Sequence, residues 1–170
     1  MIKTMGMIFI IVAGAYAGHR ASLSLTRRVT QLENIITFLR LMATQLRYTM
    51  PALDVLLEEL SDTTAAAHII FPGKCLELMK QGHAFPEAWK EALDIAAAAL
   101  SLKGVDMLPL YELGERLGST DVEGQLAIFS LADKKIGQSL AAAREERKRN
   151  GSLYRTLGLL TGVFIVLVTF

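Results

Sequence analysis

The sequence predicts an all-α protein, a helical bundle of about six helices flanked by N- and C-terminal transmembrane helices. Three observations lead to this class. Both ends are uncharged apolar runs, Met5–Gly18 and Leu157–Phe170, each holding a Gly-x-x-x-Gly pair. From Leu25 onward apolar residues recur at intervals of four and three, the period of one helix face. No stretch alternates apolar and polar residues with the period of two that a half-buried strand requires.

The first element is the N-terminal run. As helix, about 14 residues span roughly 21 Å, short of the roughly 30 Å hydrocarbon core. Ile2, Lys3 and Thr4 extend it, with the lysine reaching back to the interface. The run reads as a membrane anchor over residues 1–20. A secretory signal peptide is the alternative, because Ala15-Tyr16-Ala17 before Gly18 fits a small-residue cleavage site. A third reading makes both ends core helices of a soluble protein. His19, Arg20, Arg27 and Arg28 follow the run at once, and positive charge after an apolar segment favours its retention with that flank in the cytoplasm. The C-terminal run, an anchor over 151–170, has the matching bias: Arg144, Arg147, Lys148, Arg149 and Arg155 precede or open it. The positive-inside rule then places the central domain, 21–150, in the cytoplasm and both termini outside. In that antiparallel hairpin Gly14 and Gly18 share a leaflet with Gly158 and Gly162. Their small faces are expected to let the two helices pack closely.

Within the central domain, Leu25, Val29, Leu32, Ile36, Leu39, Ala43, Leu46 and Met50 form a stripe that Pro51 ends. Ile35 and Met42 widen it at positions where a coiled coil would carry charges, so a bundle helix fits better than a dimeric coiled coil. A second helix is expected from Pro51, burying Leu53, Leu56, Leu57 and Leu60. A polar link Ser61–Thr64, a short apolar piece Ala65–Phe71 and a helix from Gly73 to Gln81, stopped by Gly82, follow. Pro86 opens a helix carrying Trp89 and Leu93, Gly104 breaks the chain, and Asp106 is expected to cap Met107–Leu117. After the turn Gly118–Asp121 a long helix runs from Val122 to about Asn150.

Charge divides the chain. Residues 1–50 hold six Lys/Arg and one acid, net +5; residues 51–133 hold five Lys/Arg and fourteen Asp/Glu, net −9; residues 134–170 hold seven Lys/Arg and two acids, net +5. The basic parts suit anionic headgroups, whereas the acidic part is repelled by them and by nucleic acid. A basic protein partner would suit it, and so would plain solvation.

No chemistry-bearing constellation emerges. His19, His68 and His83 lack metal-ligand spacing, and the single Cys75 allows no internal disulfide. Glu58-Glu59 and Glu145-Glu146 are adjacent and point about 100° apart on a helix, which unfits them as acid/base pairs. Gly73-Lys74 lacks the rest of a phosphate loop. Arg144-Glu-Glu-Arg-Lys-Arg149 includes acids and no aromatic residue, so it reads as a charged helix end, not a nucleic-acid patch. Catalytic, metal and cofactor sites are therefore all expected to be absent.

The most distinctive stretch is Leu113-Gly114-Glu-Arg-Leu117-Gly118-Ser119-Thr-Asp121-Val-Glu-Gly124-Gln125. With Pro86-Glu-Ala-Trp89, the Tyr48-Thr-Met-Pro51 junction and two apolar ends, it resembles the stage III sporulation protein AB family over essentially the full chain. The resemblance implies a non-catalytic membrane protein of the mother cell in an endospore-forming bacterium, in the membrane surrounding the forespore. It implies a place in the multiprotein channel assembly that links the two cells. Its soluble domain would be similar to the cytoplasmic domains of the type II secretion platform (F-like) protein, and its partner would be a secretion-type ATPase. Other membrane components and a second copy of the chain are further expected partners. A general membrane-tethered adaptor and an exported soluble helical protein are the alternatives. The motif residues read as structural: Gly118 as a helix stop, Ser119 or Asp121 as a cap, Gln125 bonding back to the turn. The acids Asp54, Glu58, Glu87 and Glu91 are the expected contact surface.

Overall fold

The computed structural model describes residues 2–61 and 69–169. Side-chain packing is described for these except at the two extreme ends and at Ile11, Ser61, Arg155, Gly158, Leu159, Gly162 and Val163. Among the described residues there are six α-helices and no strand: α1 (Ile2–Thr49), α2 (Leu53–Ser61), α3 (Ile70–Lys80), α4 (Phe85–Ala97), α5 (Gly104–Arg116) and α6 (Val122–Thr169). The link after Ser61, most of the piece expected at Ala65–Phe71, and His68 lie outside the described residues.

The apolar ends are not separate helices. The first run is the opening of α1 and the second is the close of α6, because neither boundary holds a proline or a left-handed glycine to stop a helix. Among the described residues no helix is long and apolar enough to cross a membrane. The expected flanking transmembrane helices therefore lack a span of the needed length. The uncharged runs are about 14 residues against the about 20 that spanning takes, and charged turns border them.

The chain divides into two compact units, Met1–Val29 with Ala142–Phe170, and Thr30–Ala141. In the first, α1 and α6 run antiparallel. Arg28, 5% exposed, places Nη1 2.7 Å from Glu146 Oε2. One helical turn and a half away, Ser22 faces Gly151, where a Cβ would come 3.8 Å from its Oγ. Gly18, Ser22, Leu25 and Ala143 are buried, and Gly14 is half-buried. Gly158 and Gly162 lie outside the residues whose packing is described. Val12, Tyr16, Leu157, Leu160 and Phe164 are each more than half exposed.

The second unit holds the dense core. Leu32, Ile35, Phe38, Leu39 and Met42 are almost wholly buried on α1. Ile35 and Met42 share in that burial, so the wide stripe is the face of a bundle helix. Leu56, Leu57 and Leu60 of α2, Phe71, Cys75 and Leu78 of α3, and Ala88, Trp89, Ala92 and Leu93 of α4 complete it. Burial pushes the Cys75 thiol up to about 12.

Local starts differ from the sequence expectation in three places. Helix α3 begins at Ile70, with Pro72 in its first turn, where a missing N–H costs no intrahelical bond. Met50, at φ +48°, and Pro51 separate α1 from α2, which begins at Leu53. Asp106 is not the N-cap residue: it is the third residue of α5, in the first turn, and caps from inside the helix by accepting the Lys103 N–H at Oδ2, 2.8 Å away, as the reciprocal half of a capping box. Lys103 is the residue that precedes the helix.

Candidate functional site

The distinctive motif residues converge on one side chain. Trp89, fully buried on α4, lies against α5 where Gly114 has no side chain. A Cβ at Gly114 would come 2.1 Å from Trp89 Cδ1, far inside contact distance. Trp89 Nε1 donates to the Leu110 carbonyl at 2.9 Å, so the indole is both inserted and satisfied. Phe71 meets the indole edge-on at 5.1 Å, Phe85 lies at 5.3 Å, and Phe38 of α1 meets Phe71 at 6.0 Å. This aromatic chain joins α1, α3 and α4, and the indole carries it to α5. Pro86 sits exposed in the first turn of α4, where its fixed φ suits a helix start.

The second half of the motif builds the turn into α6. Leu113 and Leu117 are buried. Gly118 takes φ +83°, a left-handed position that ends α5 and that any larger residue strains. Ser119 bonds backward, with Oγ 2.6 Å from the Arg116 carbonyl, whereas Asp121 faces forward and accepts the Gly124 N–H at Oδ1, 3.0 Å away. Asp121 is thus the cap of α6 and Ser119 is not. Gln125 Nε2 donates to the Thr120 carbonyl at 3.0 Å, while its Oε1 is buried without a partner among the described residues. These residues close a corner; none of them presents a reactive group to a cavity.

The four expected contact acids are all exposed, on two different helices. Asp54 and Glu58 lie four apart on α2, and Glu87 and Glu91 four apart on α4, so each pair shares one helix face. Asp54 and Glu87 also stand in first turns, where the helix dipole favours a negative charge. Glu58 is engaged by Lys80 of α3 at 2.6 Å, which reduces its free charge. Asp94, one turn beyond Glu91, accepts the Tyr111 hydroxyl at 2.6 Å. Burial, then that hydrogen bond and the carboxylate charge, push the Tyr111 phenol up to about 12. Sequence spacing gave no sign of the Lys80–Glu58 or Tyr111–Asp94 contacts, since each joins neighbouring helices. Among the described residues no group of three or more His, Cys, Asp or Glu could hold a metal.

Comparison with known proteins adds a lineage to this geometry. The sequence model of the family described as Stage III sporulation protein AB (spore_III_AB) matches residues 3–170. The stage III sporulation protein AB of Bacillus subtilis (strain 168) is 25% identical over 169 residues, covering 99% of each chain. A solved structure of a stage III sporulation protein AB superposes with a TM-score of 0.61 at 21% identity, covering 72% of this chain and 98% of that one. At that identity the structural likeness shows the fold alone.

Proposed function

The chain belongs to the stage III sporulation protein AB family and so has a sporulation-related role; from that premise we propose that it is a non-catalytic platform component of a mother-cell membrane assembly facing the forespore. In this reading its two apolar ends hold it at the membrane, and its acidic helical unit recruits a secretion-type ATPase. The observation that carries the reading is the pairing of a helical unit that has a dense core with a helix pair whose tyrosine, leucine and phenylalanine side chains stay exposed. Six large apolar side chains more than half exposed among the described residues of one short helix pair call for lipid or protein around them. The basic flanks Arg144, Arg147, Lys148 and Arg149 are all exposed, as attraction to anionic headgroups requires.

Spanning requires Ile2–Thr4 and Leu153–Arg155 to extend the two runs, with the charged side chains reaching the interface. A peripheral attachment, with the helix pair lying in the headgroup region, is the second reading; the apolar side chains exposed along the pair beside the basic flank favour it. Alkaline carbonate washing of membranes decides between them, since a spanning chain stays with the pellet and a peripheral one is released. Protease added outside spheroplasts is expected to spare the central unit; digestion would overturn the cytoplasmic placement. Reversing Glu87 and Glu91 to lysine is expected to weaken capture of the co-expressed ATPase. Unchanged capture would remove that surface from the proposal.

A further inference from the structure

The side of the second unit between the C-terminal part of α1 and the start of α6 carries a groove that the reading above does not use. Leu39, Ala43, Leu126 and Phe129 form its floor, and it opens to a volume of about 200 Å³. It shares Arg40, Ala43 and Arg47 with a wider exposed hollow of about 400 Å³ that also takes in Thr44 and Tyr48. Arg40, Ala43, Thr44 and Arg47 follow the i, i+3, i+4, i+7 spacing and so share one face of α1.

The rim carries two arginines and one carboxylate. Arg40 is two-thirds exposed and held by Asp133, with Nε 2.8 Å from Oδ1 and Nη2 3.1 Å from Oδ2. That fork fixes the guanidinium beside the groove and leaves Nη1 outside the fork. Arg47, one heptad on, is exposed, and among the described residues no acidic side chain forms an ion pair with it. Past it, Tyr48 is 80% and Met50 63% exposed. Met50 adopts φ +48°, a conformation that a residue with its side chain rarely holds.

The same chain presents the complementary surface. On α4, Glu87, Glu91 and Ile95 recur every four residues on one exposed face, and Ile95 is 47% exposed. A carboxylate followed one turn on by an apolar side chain matches the Arg47 guanidinium beside an apolar floor. We propose that a second copy of this chain docks the exposed face of its α4 in the groove, with Glu91 against Arg47 and Ile95 over Ala43 and Leu126. Groove and helix are different patches of one molecule, so the contact is head-to-tail and repeats. It yields assemblies that grow with concentration and do not stop at a closed dimer.

The test is sedimentation of the full chain in detergent micelles across a concentration and salt series. The wild-type mass is expected to rise with concentration and to fall with added salt. Arg47→Glu, at an exposed side chain, is expected to weaken association about tenfold or more, as loss of an interfacial charge pair does. Ala43→Trp fills the floor and is expected to do the same without changing charge. Mixing Arg47→Glu with Glu91→Arg protein is expected to restore growth into alternating copies, since both mixed contacts pair opposite charges whereas each variant alone sets like charges against each other. A single micelle-bound chain at all concentrations overturns the proposal, and so does association that Arg47→Glu leaves unchanged. ATPase capture by the Arg47→Glu variant is read separately. Its acidic surface is intact, so loss of self-association and loss of ATPase binding are distinguishable.

Discussion

The two units use the same element, the amphipathic helix, to opposite ends. In Thr30–Ala141 the apolar stripe of α1 from Leu32 to Leu46 meets partners on neighbouring helices, and the aromatic chain from Phe38 to Trp89 has almost no surface left. In the terminal unit α1 has α6 beside it and little more. The buried contact is a narrow line of Gly18, Ser22, Leu25, Arg28 and Ala143, one charged pair included, while tyrosine, phenylalanine and leucine face outward. A helix pair has too little surface to bury its own apolar side chains; a bundle has enough. Stability therefore resides in one unit, and the other keeps its apolar surface available.

That contrast gives ordered expectations. Trp89→Ala should destabilise the bundle unit most, by about 3–5 kcal/mol, because it removes the indole from every helix it bridges. Gly114→Ala should follow at about 1–3 kcal/mol or more, since its methyl has no room beside Trp89; chemical denaturation measures both. In the terminal unit Arg28→Met should cost on the order of 2 kcal/mol of local stability, leaving Glu146 half-buried without its guanidinium. Hydrogen exchange at residues 22–28 and 143–150 is the readout, and an unchanged exchange pattern would show that the pair is not what holds α1 to α6. Asp121→Ala should cost about 1 kcal/mol through the lost cap of α6. Leu160→Ser should change denaturation by no more than about 0.5 kcal/mol, yet reduce retention in membranes; a large loss of stability would erase the contrast between the units.

The smallest effect is a pH dependence. The Tyr111 phenol, raised to about 12 in the fold from about 10 unfolded, keeps its proton where the unfolded chain loses it. Its contribution is complete below about pH 10 and is lost as pH rises through about 12. Tyr111→Phe should remove that part of the alkaline decline. Cys75 behaves alike, raised to about 12 by burial, and its native thiol should react with alkylating reagents only at the rate of unfolding.

Much of this architecture is legible in the sequence because helix faces repeat. The stripe from Leu25 to Leu46, the start at Pro86 and the stop at Gly118 are local signals, each with a local cause. The fusion of the apolar ends with the bundle helices is not legible, since Gly18 reads equally as a boundary and as a close-packing position. Pro72 reads as the end of a segment, although a first turn accepts it. Asp106 looks like a cap, and only the backbone shows that it closes the turn from inside α5. The seat of Trp89 on Gly114 joins residues 25 positions apart, and the groove beside Arg40 joins α1 to α6. Spacing within one helix carries no trace of either.

The seat of Trp89 has a spectroscopic consequence. It is the only tryptophan of the chain, and it lies fully buried among Phe71, Phe85 and the face of α5. Its emission should be blue-shifted and should report the Thr30–Ala141 unit alone. Far-ultraviolet circular dichroism sums helix over both units. Heating followed by the two signals together therefore separates two melting events in an unlabelled chain: coincident curves mean one cooperative molecule, and an ellipticity loss that precedes the red shift means that the terminal pair of helices frays first.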